Sequence, residues 1–132
     1  MKSYSQSVSS QSTALIILAI LLSSSMNWHC GNNQRVKSEK ADITNHVSNM
    51  AGLAFMYRMR PDSLQGGNRS FVGFVLPENA RSSDNASYEA QVISADTVKI
   101  VGISKRNAAN TVSVCRDGNG NFFGWTYTGE FE

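Results

Sequence analysis

The chain has 132 residues, of which 17% are charged and 41% are hydrophobic, and its formal net charge is +2. A single domain typically takes roughly 100 to 200 residues, so this length suits one domain with a leader or an anchor. A charge balance this close to neutral does not favour nucleic-acid binding, and we expect no nucleic-acid partner.

The first part of the chain divides into a polar leader and an apolar segment. Residues 1–13 are polar and rich in serine, and residues 14–30 contain no Asp, Glu, Lys or Arg. A helix that spans a bilayer needs about 20 apolar residues, a length that this segment approaches only if its serines are included. We expect it to form a membrane and filament core through Ala14, Leu15, Ile16, Ile17, Leu18, Ala19, Ile20, Leu21 and Leu22.

A secretory signal peptide is the competing interpretation of the same segment. Ser23 and Ser25 are small residues at the positions that a signal peptidase reads before a cut at Met26. In that case the mature protein would be released without the apolar segment.

Residues 31–61 are predicted to be an amphipathic helix segment, which opens with a break at Gly31, Asn32 and Asn33 and is helical from Gln34 on. Its apolar residues recur at spacings of four and three, which places them on one face of a helix with 3.6 residues per turn. Pro61 disfavours the helical conformation of the residue before it and therefore ends the helix. The face expected to pack on a sheet consists of Ile43, Val47, Met50, Ala54 and Tyr57.

Residues 62–132 are predicted to form an antiparallel β domain, because their hydrophobic period changes from 3.6 to 2. We expect strands at residues 71–76, 88–92, 97–103, 111–115 and 122–127. The strongest turn signal, Asp117-Gly118-Asn119-Gly120, predicts a hairpin. The fold class is therefore α+β. A long N-terminal helix, apolar in its first half and amphipathic in its second, packs on a four- to five-stranded antiparallel sheet.

The chain has no recognisable catalytic, phosphate-binding or dinucleotide-binding motif, so we expect no enzyme activity and no cofactor. His46 lies on the helix with no second histidine nearby, which favours a packing or surface role. Residues 117–121 offer oxygen ligands at alternating positions, and a calcium loop is the alternative to the hairpin there. Phe122 and Thr128, however, replace the glycine and glutamate that an EF-hand requires.

The two cysteines, Cys30 and Cys115, are far apart in the sequence. If the apolar segment directs export of the rest of the chain, both would lie in an oxidising compartment and could form a disulfide. The alternative is two separate thiols.

An apolar N-terminal segment that continues into an amphipathic helix and then a sheet resembles the type IV pilin and pseudopilin group. The helix end at Met56-Tyr57-Arg58-Met59-Arg60-Pro61 and the Ser63-Leu64-Gln65-Gly66-Gly67 segment after it are similar to one pilin-like family. The similarity continues through the aromatic stretch at 71–74 and the strands around residues 84–88 and 98–103.

The resemblance implies a membrane-anchored precursor in the inner membrane that later joins copies of itself in a filament outside the cell or on its surface. It places processing between Ser10 and Gln11, where pilins usually have a glycine before the cut. Leu15 then stands where pilins carry a glutamate, so the usual pairing of that glutamate with a neighbouring subunit is absent.

The alternative function is a secreted or periplasmic binding module, released near Ser25. Phe123, Trp125 and Tyr127 alternate along the last predicted strand, and their common face could then bind a ligand such as a glycan.

Overall fold

The computed structural model describes the backbone of residues 11–132 and the side chains of residues 31–132. One helix packs on a four-stranded antiparallel sheet, which confirms the α+β class. The strands follow one another in the order β1-β2-β3-β4. The elements are α1 Gln11–Met59, β1 Ala86–Ser94, β2 Thr97–Ser104, β3 Thr111–Asp117 and β4 Phe122–Tyr127, with 3₁₀ turns at Asp62–Leu64, Glu78–Ala80 and Gly129–Phe131.

The chain divides into two compact units, Met1–Arg35 and Val36–Glu132. The first unit contains the start of α1. The second contains the rest of that helix and the whole sheet, and all contacts discussed below lie within it.

The helix is continuous across Gly31, Asn32 and Asn33, so the predicted break there is wrong. A glycine inside a helix is only about 1 kcal/mol less favourable than alanine, and asparagine is penalised less. The surrounding residues outweigh such a local preference. The other end of α1, at Met59, lies just before Pro61 as predicted.

The end of α1 is capped by the backbone of the segment after it. The N–H groups of Gly67 and Arg69 donate to the carbonyls of Tyr57 and Arg58, at 2.8 and 2.7 Å. These bonds satisfy carbonyls that have no partner within the helix. The loop must turn sharply to make them, and a Cβ on Gly67 would come within 2.8 Å of the Tyr57 ring. The glycine pair therefore allows the cap to form.

Residues 71–76 do not form the predicted strand, although they run along the outer edge of β1. Phe71 donates its N–H to the Ala95 carbonyl, and the Arg81 carbonyl accepts from Tyr88, each at 2.8 Å. Between these points the segment turns at Gly73, whose φ is +85°, and Pro77 has no N–H to donate. The segment therefore covers the edge of β1 without pairing along it.

The core lies between the helix and one face of the sheet. Val98 and Ile100 on β2 and Val112 and Val114 on β3 are fully buried against the helix side. The helix approaches the sheet closely at Gly102, where a Cβ would lie 2.7 Å from Ile43 Cγ2. The absence of a side chain at Gly102 therefore sets the distance between the helix and the sheet.

Candidate functional site

The helix residues expected to face the sheet pack within the second unit. Ile43, Val47, Met50 and Ala54 are part of the buried core, with 0%, 0%, 8% and 0% of their surface exposed. Tyr57 is half-buried and donates its hydroxyl to the Val72 carbonyl at 3.0 Å. These residues hold the fold together and have a structural role.

The residues expected to drive assembly lie outside the described side chains. This applies to residues 14–22, to Ser10 and Gln11 at the expected processing point, and to Cys30. Their roles stay predictions. Among the helical residues whose side chains are described, no stretch is both long and apolar enough to cross a bilayer.

Cys115 lies on β3 opposite Lys99 and Phe123, and it is half-buried. Within residues 31–132 its thiol has no disulfide partner. Because Cys30 is outside that range, the bridge between the two stays a prediction.

The oxygen-rich segment at 117–121 forms the β3–β4 hairpin turn. Asp117 Oδ1 accepts the backbone N–H groups of Asn119 and Asn121 at 2.9 and 2.8 Å, and Oδ2 accepts from Asn121 Nδ2 at 3.0 Å. The bonds from Asn121 in particular lower the pKa of Asp117. Both carboxylate oxygens serve the turn, and residues 31–132 contain no group of three or more His, Cys, Asp or Glu arranged for a metal ion.

His46 packs on the surface of the second unit. Its Nδ1 lies 3.0 Å from the Asp42 carbonyl and 3.5 Å from Asp42 Oδ1, and its ring stacks on Tyr88 at 5.6 Å between centroids. Burial is the main cause that raises the pKa of Tyr88. Tyr88 OH forms a hydrogen bond with Ser83 Oγ at 3.1 Å. None of these contacts therefore places a free nucleophilic side chain against His46.

The last strand differs from the regular alternation that the sequence predicted. Val112 of β3 pairs with Tyr127, Arg116 pairs with Phe122, and Cys115 pairs with Phe123, with a shift of register between Ser113 and Cys115. Gly124 supplies the extra residue of this bulge with a φ of +63°.

As a result, the aromatic face is not the one expected from the sequence. Phe122, Trp125 and Tyr127 lie on the helix side of β4, whereas Phe123 lies on the opposite face. The Trp125 ring is 6.2 Å from Tyr127 and 6.1 Å from Phe122. Phe122 and Trp125 are 42% and 37% exposed. A glycine inside a predicted strand is the signal that could have indicated the bulge.

A basic side chain flanks each end of this row of rings. The Arg116 guanidinium lies between the rings of Phe55 and Phe122, at 4.5 and 4.7 Å from their centroids. Lys40 Nζ lies 4.1 Å from the Tyr127 centroid and donates to the Phe131 carbonyl. Burial lowers the pKa of Arg116. We call Phe122, Trp125 and Tyr127, with Arg116 and Lys40, the aromatic surface.

Beside the aromatic surface, a polar network holds the end of the chain. Glu39, only 9% exposed, accepts from Ser104 Oγ and from Arg106 Nε, the latter at 2.8 Å. Arg106 also donates to Glu130 at 2.7 Å, and Asn110 Nδ2 donates to the same oxygen at 2.8 Å. The bond to Glu39 is the main cause that raises the pKa of Arg106. These charges satisfy one another, so we assign them a structural role.

A second exposed apolar region lies at the end of the helix. Leu53, Met56, Phe74 and Val75 line a groove of about 380 Å³ with Arg60 at its margin. Met56 and Val75 are 59% and 65% exposed.

Comparison of the chain with family models, with curated proteins and with solved structures found no match.

Proposed function

We propose that this chain is a structural subunit of a type IV pilus-like or pseudopilus-like filament, assembled through its apolar N-terminal helix. The observation that carries the proposal is the extent of α1, which has 49 residues from Gln11 to Met59. Among residues 31–59 of this helix, those that belong to the buried core begin at Ile43, with Val36 packed against its margin. The uncharged residues 14–22 belong to the same helix.

The physical reason for assembly is the apolar surface of residues 14–22. Burying one large aliphatic side chain contributes roughly 1.5 to 3 kcal/mol. The nine residues 14–22 are all Leu, Ile or Ala, so exposing their side chains to water is unfavourable. The inner membrane covers the run in the precursor. Copies of the same helix cover it after assembly, and contacts between non-equivalent surfaces extend into an open filament outside the cell.

A structural role, rather than an enzymatic one, also fits the polar groups of the second unit. The carboxylates of Glu39, Asp117 and Glu130 are all engaged in hydrogen bonds within the fold. In residues 31–132, no acidic, histidine and cysteine side chains converge as a metal site would require.

N-terminal sequencing of the mature chain tests this function against the secreted binding module. The filament requires the apolar helix to be retained after processing, so we expect a mature protein that starts at Gln11. An intact Met1 would indicate a membrane anchor or an unprocessed precursor. A chain that starts at Met26 would have lost residues 14–22 and would refute the filament proposal. The secreted module would then be the better interpretation.

A further inference from the structure

The aromatic surface has the features of a binding site that the fold itself does not require. Phe122 and Trp125 remain 42% and 37% exposed, although they lie on the helix side of the sheet. They belong to β4, one of the two edge strands, and no described residue pairs with the outer edge of that strand. The edge of β1, in contrast, is covered by the segment that precedes it. The aromatic surface therefore lies at the uncovered edge of the sheet.

Arg116 gives this surface a specific charge preference. Its Nε donates to the Gly120 carbonyl at 3.1 Å, but within residues 31–132 its terminal nitrogens have no hydrogen-bond partner and the residue forms no ion pair. Arg58 and Arg106 are both paired with carboxylates. The rings of Phe55 and Phe122 hold the Arg116 guanidinium in place. An oriented guanidinium fork with free N–H groups is suited to a carboxylate.

We propose that the aromatic surface binds an acidic glycan, a chain of sugars that carry carboxylates. The apolar faces of the sugar rings would pack on the exposed rings of Trp125 and Phe122, and a carboxylate would pair with Arg116, with Lys40 adding positive charge at the far end. Phe122 and Tyr127 pair with Arg116 and Val112, which are four residue steps apart on β3. At about 3.3 Å per step the row of rings therefore extends roughly 13 Å, which suits a short oligosaccharide better than a single sugar. This inference goes beyond the proposed filament function and does not depend on it.

A binding titration of the full-length protein tests the proposal. The protein is kept in a polyoxyethylene detergent, because glycoside detergents carry sugars themselves. The probes are an oligogalacturonate and its methyl ester, which have the same rings and differ in charge. The chain has two tryptophans, so a Trp28→Phe background leaves Trp125 as the fluorescent reporter. We expect the acid to change Trp125 fluorescence and to bind at least about tenfold more tightly than the ester.

Three variants locate the site. Arg116→Gln is expected to weaken binding of the acid by about tenfold or more and to leave the ester unaffected. Trp125→Ala, measured by calorimetry, is expected to weaken both probes. Phe123→Ala is the matched control, because Phe123 is 46% exposed on the opposite face of the same strand, and its binding should equal that of the parent. Circular dichroism verifies that each variant is folded.

The proposal would be overturned by no binding of the acid, by equal binding of acid and ester, by equal losses in Phe123→Ala and Trp125→Ala, or by unchanged binding in folded Arg116→Gln. If Trp125→Ala dissociated an oligomer and did not alter glycan binding, the surface would instead be a protein interface. None of these results bears on whether the apolar helix forms filaments.

Discussion

At the scale of single residues, Gly102 most directly determines how the helix sits on the sheet. A Cβ at this position would lie 2.7 Å from Ile43 Cγ2, 2.9 Å from Val47 Cγ2 and 3.2 Å from the Tyr88 ring. Real Cβ contacts are longer, and all three neighbours are buried. Ile43 and Val47 cannot both move aside without disturbing the core.

Gly102→Ala is therefore expected to destabilise the fold by about 1 to 3 kcal/mol through overpacking. The matched control is Gly52→Ala on the facing helix, where the nearest atom to a new Cβ is Arg116 Nη1 at 3.9 Å. That change should stabilise the fold by up to about 1 kcal/mol, because alanine is the better helix former. Urea unfolding followed by circular dichroism measures both. Equal stability of the two variants would contradict the close approach at Gly102.

The residues of the helix face illustrate what could be predicted at this scale. Ile43, Val47, Met50 and Ala54 repeat at four and three, and burial follows directly from that geometry. The need for Gly102 could not be predicted, because it depends on which strand lies beneath the helix. Arg116 and Phe122 were also missed, since their proximity depends on the hairpin register.

At the scale of elements, the 3₁₀ turn Gly129–Phe131 is held in place by ionised groups. The bond from Asn110, followed by the interaction with Arg106, lowers the pKa of Glu130 from 4.5, the ordinary value. A carboxyl group whose pKa is lower in the folded chain stabilises the fold above its unfolded pKa. That stabilisation is lost as the pH falls below about 4.5 and through the folded pKa.

Glu130→Gln is therefore expected to lower the melting temperature at about pH 7 and to have a progressively smaller effect as the pH falls toward about 3. Thermal unfolding of the wild type and variant across this range measures the difference. Glu78→Gln, which removes an exposed carboxylate on another 3₁₀ turn, is the control. A difference between Glu130→Gln and wild type that stays constant with pH would contradict the charged network.

The elements also differ in how well the sequence predicts them. Four strands were expected near their observed positions, because alternation of apolar residues and the turn at 117–120 define them locally. The prediction of a strand at 71–76 was wrong, although Phe71, Phe74 and Leu76 are buried. A turn at Gly73 changes the alternation there, and the spacing of apolar residues does not reveal whether a segment finds hydrogen-bond partners.

The bulge at Gly124 had the largest effect on the candidate site. Strict alternation places Phe123 with Trp125 and Tyr127, and one extra residue exchanges Phe123 for Phe122. An aromatic face was therefore predictable in kind, whereas its members and its basic neighbours, Lys40 and Arg116, were not.

At the scale of the whole molecule, the α+β class follows from the spacing of the hydrophobic residues. Their period is 3.6 in the helix and changes to 2 in the segment that forms the sheet. The second unit buries a core between helix and sheet and displays the aromatic surface at the sheet edge. In the proposed filament, assembly depends on the apolar residues 14–22, and the β domain is free to carry other contacts. Substitutions in the two parts should therefore have separable effects.

The most direct measurement of the proposed function is the yield of filaments in electron micrographs of cells that express Leu18→Asp or Leu18→Met. A charge in the middle of the apolar run cannot be buried among neighbouring helices without a partner, whereas methionine preserves both volume and apolar character. We expect Leu18→Asp to abolish filaments and Leu18→Met to form them at nearly the wild-type yield. Wild-type filament yield from Leu18→Asp, or no filaments from the wild type itself, would contradict the proposed function.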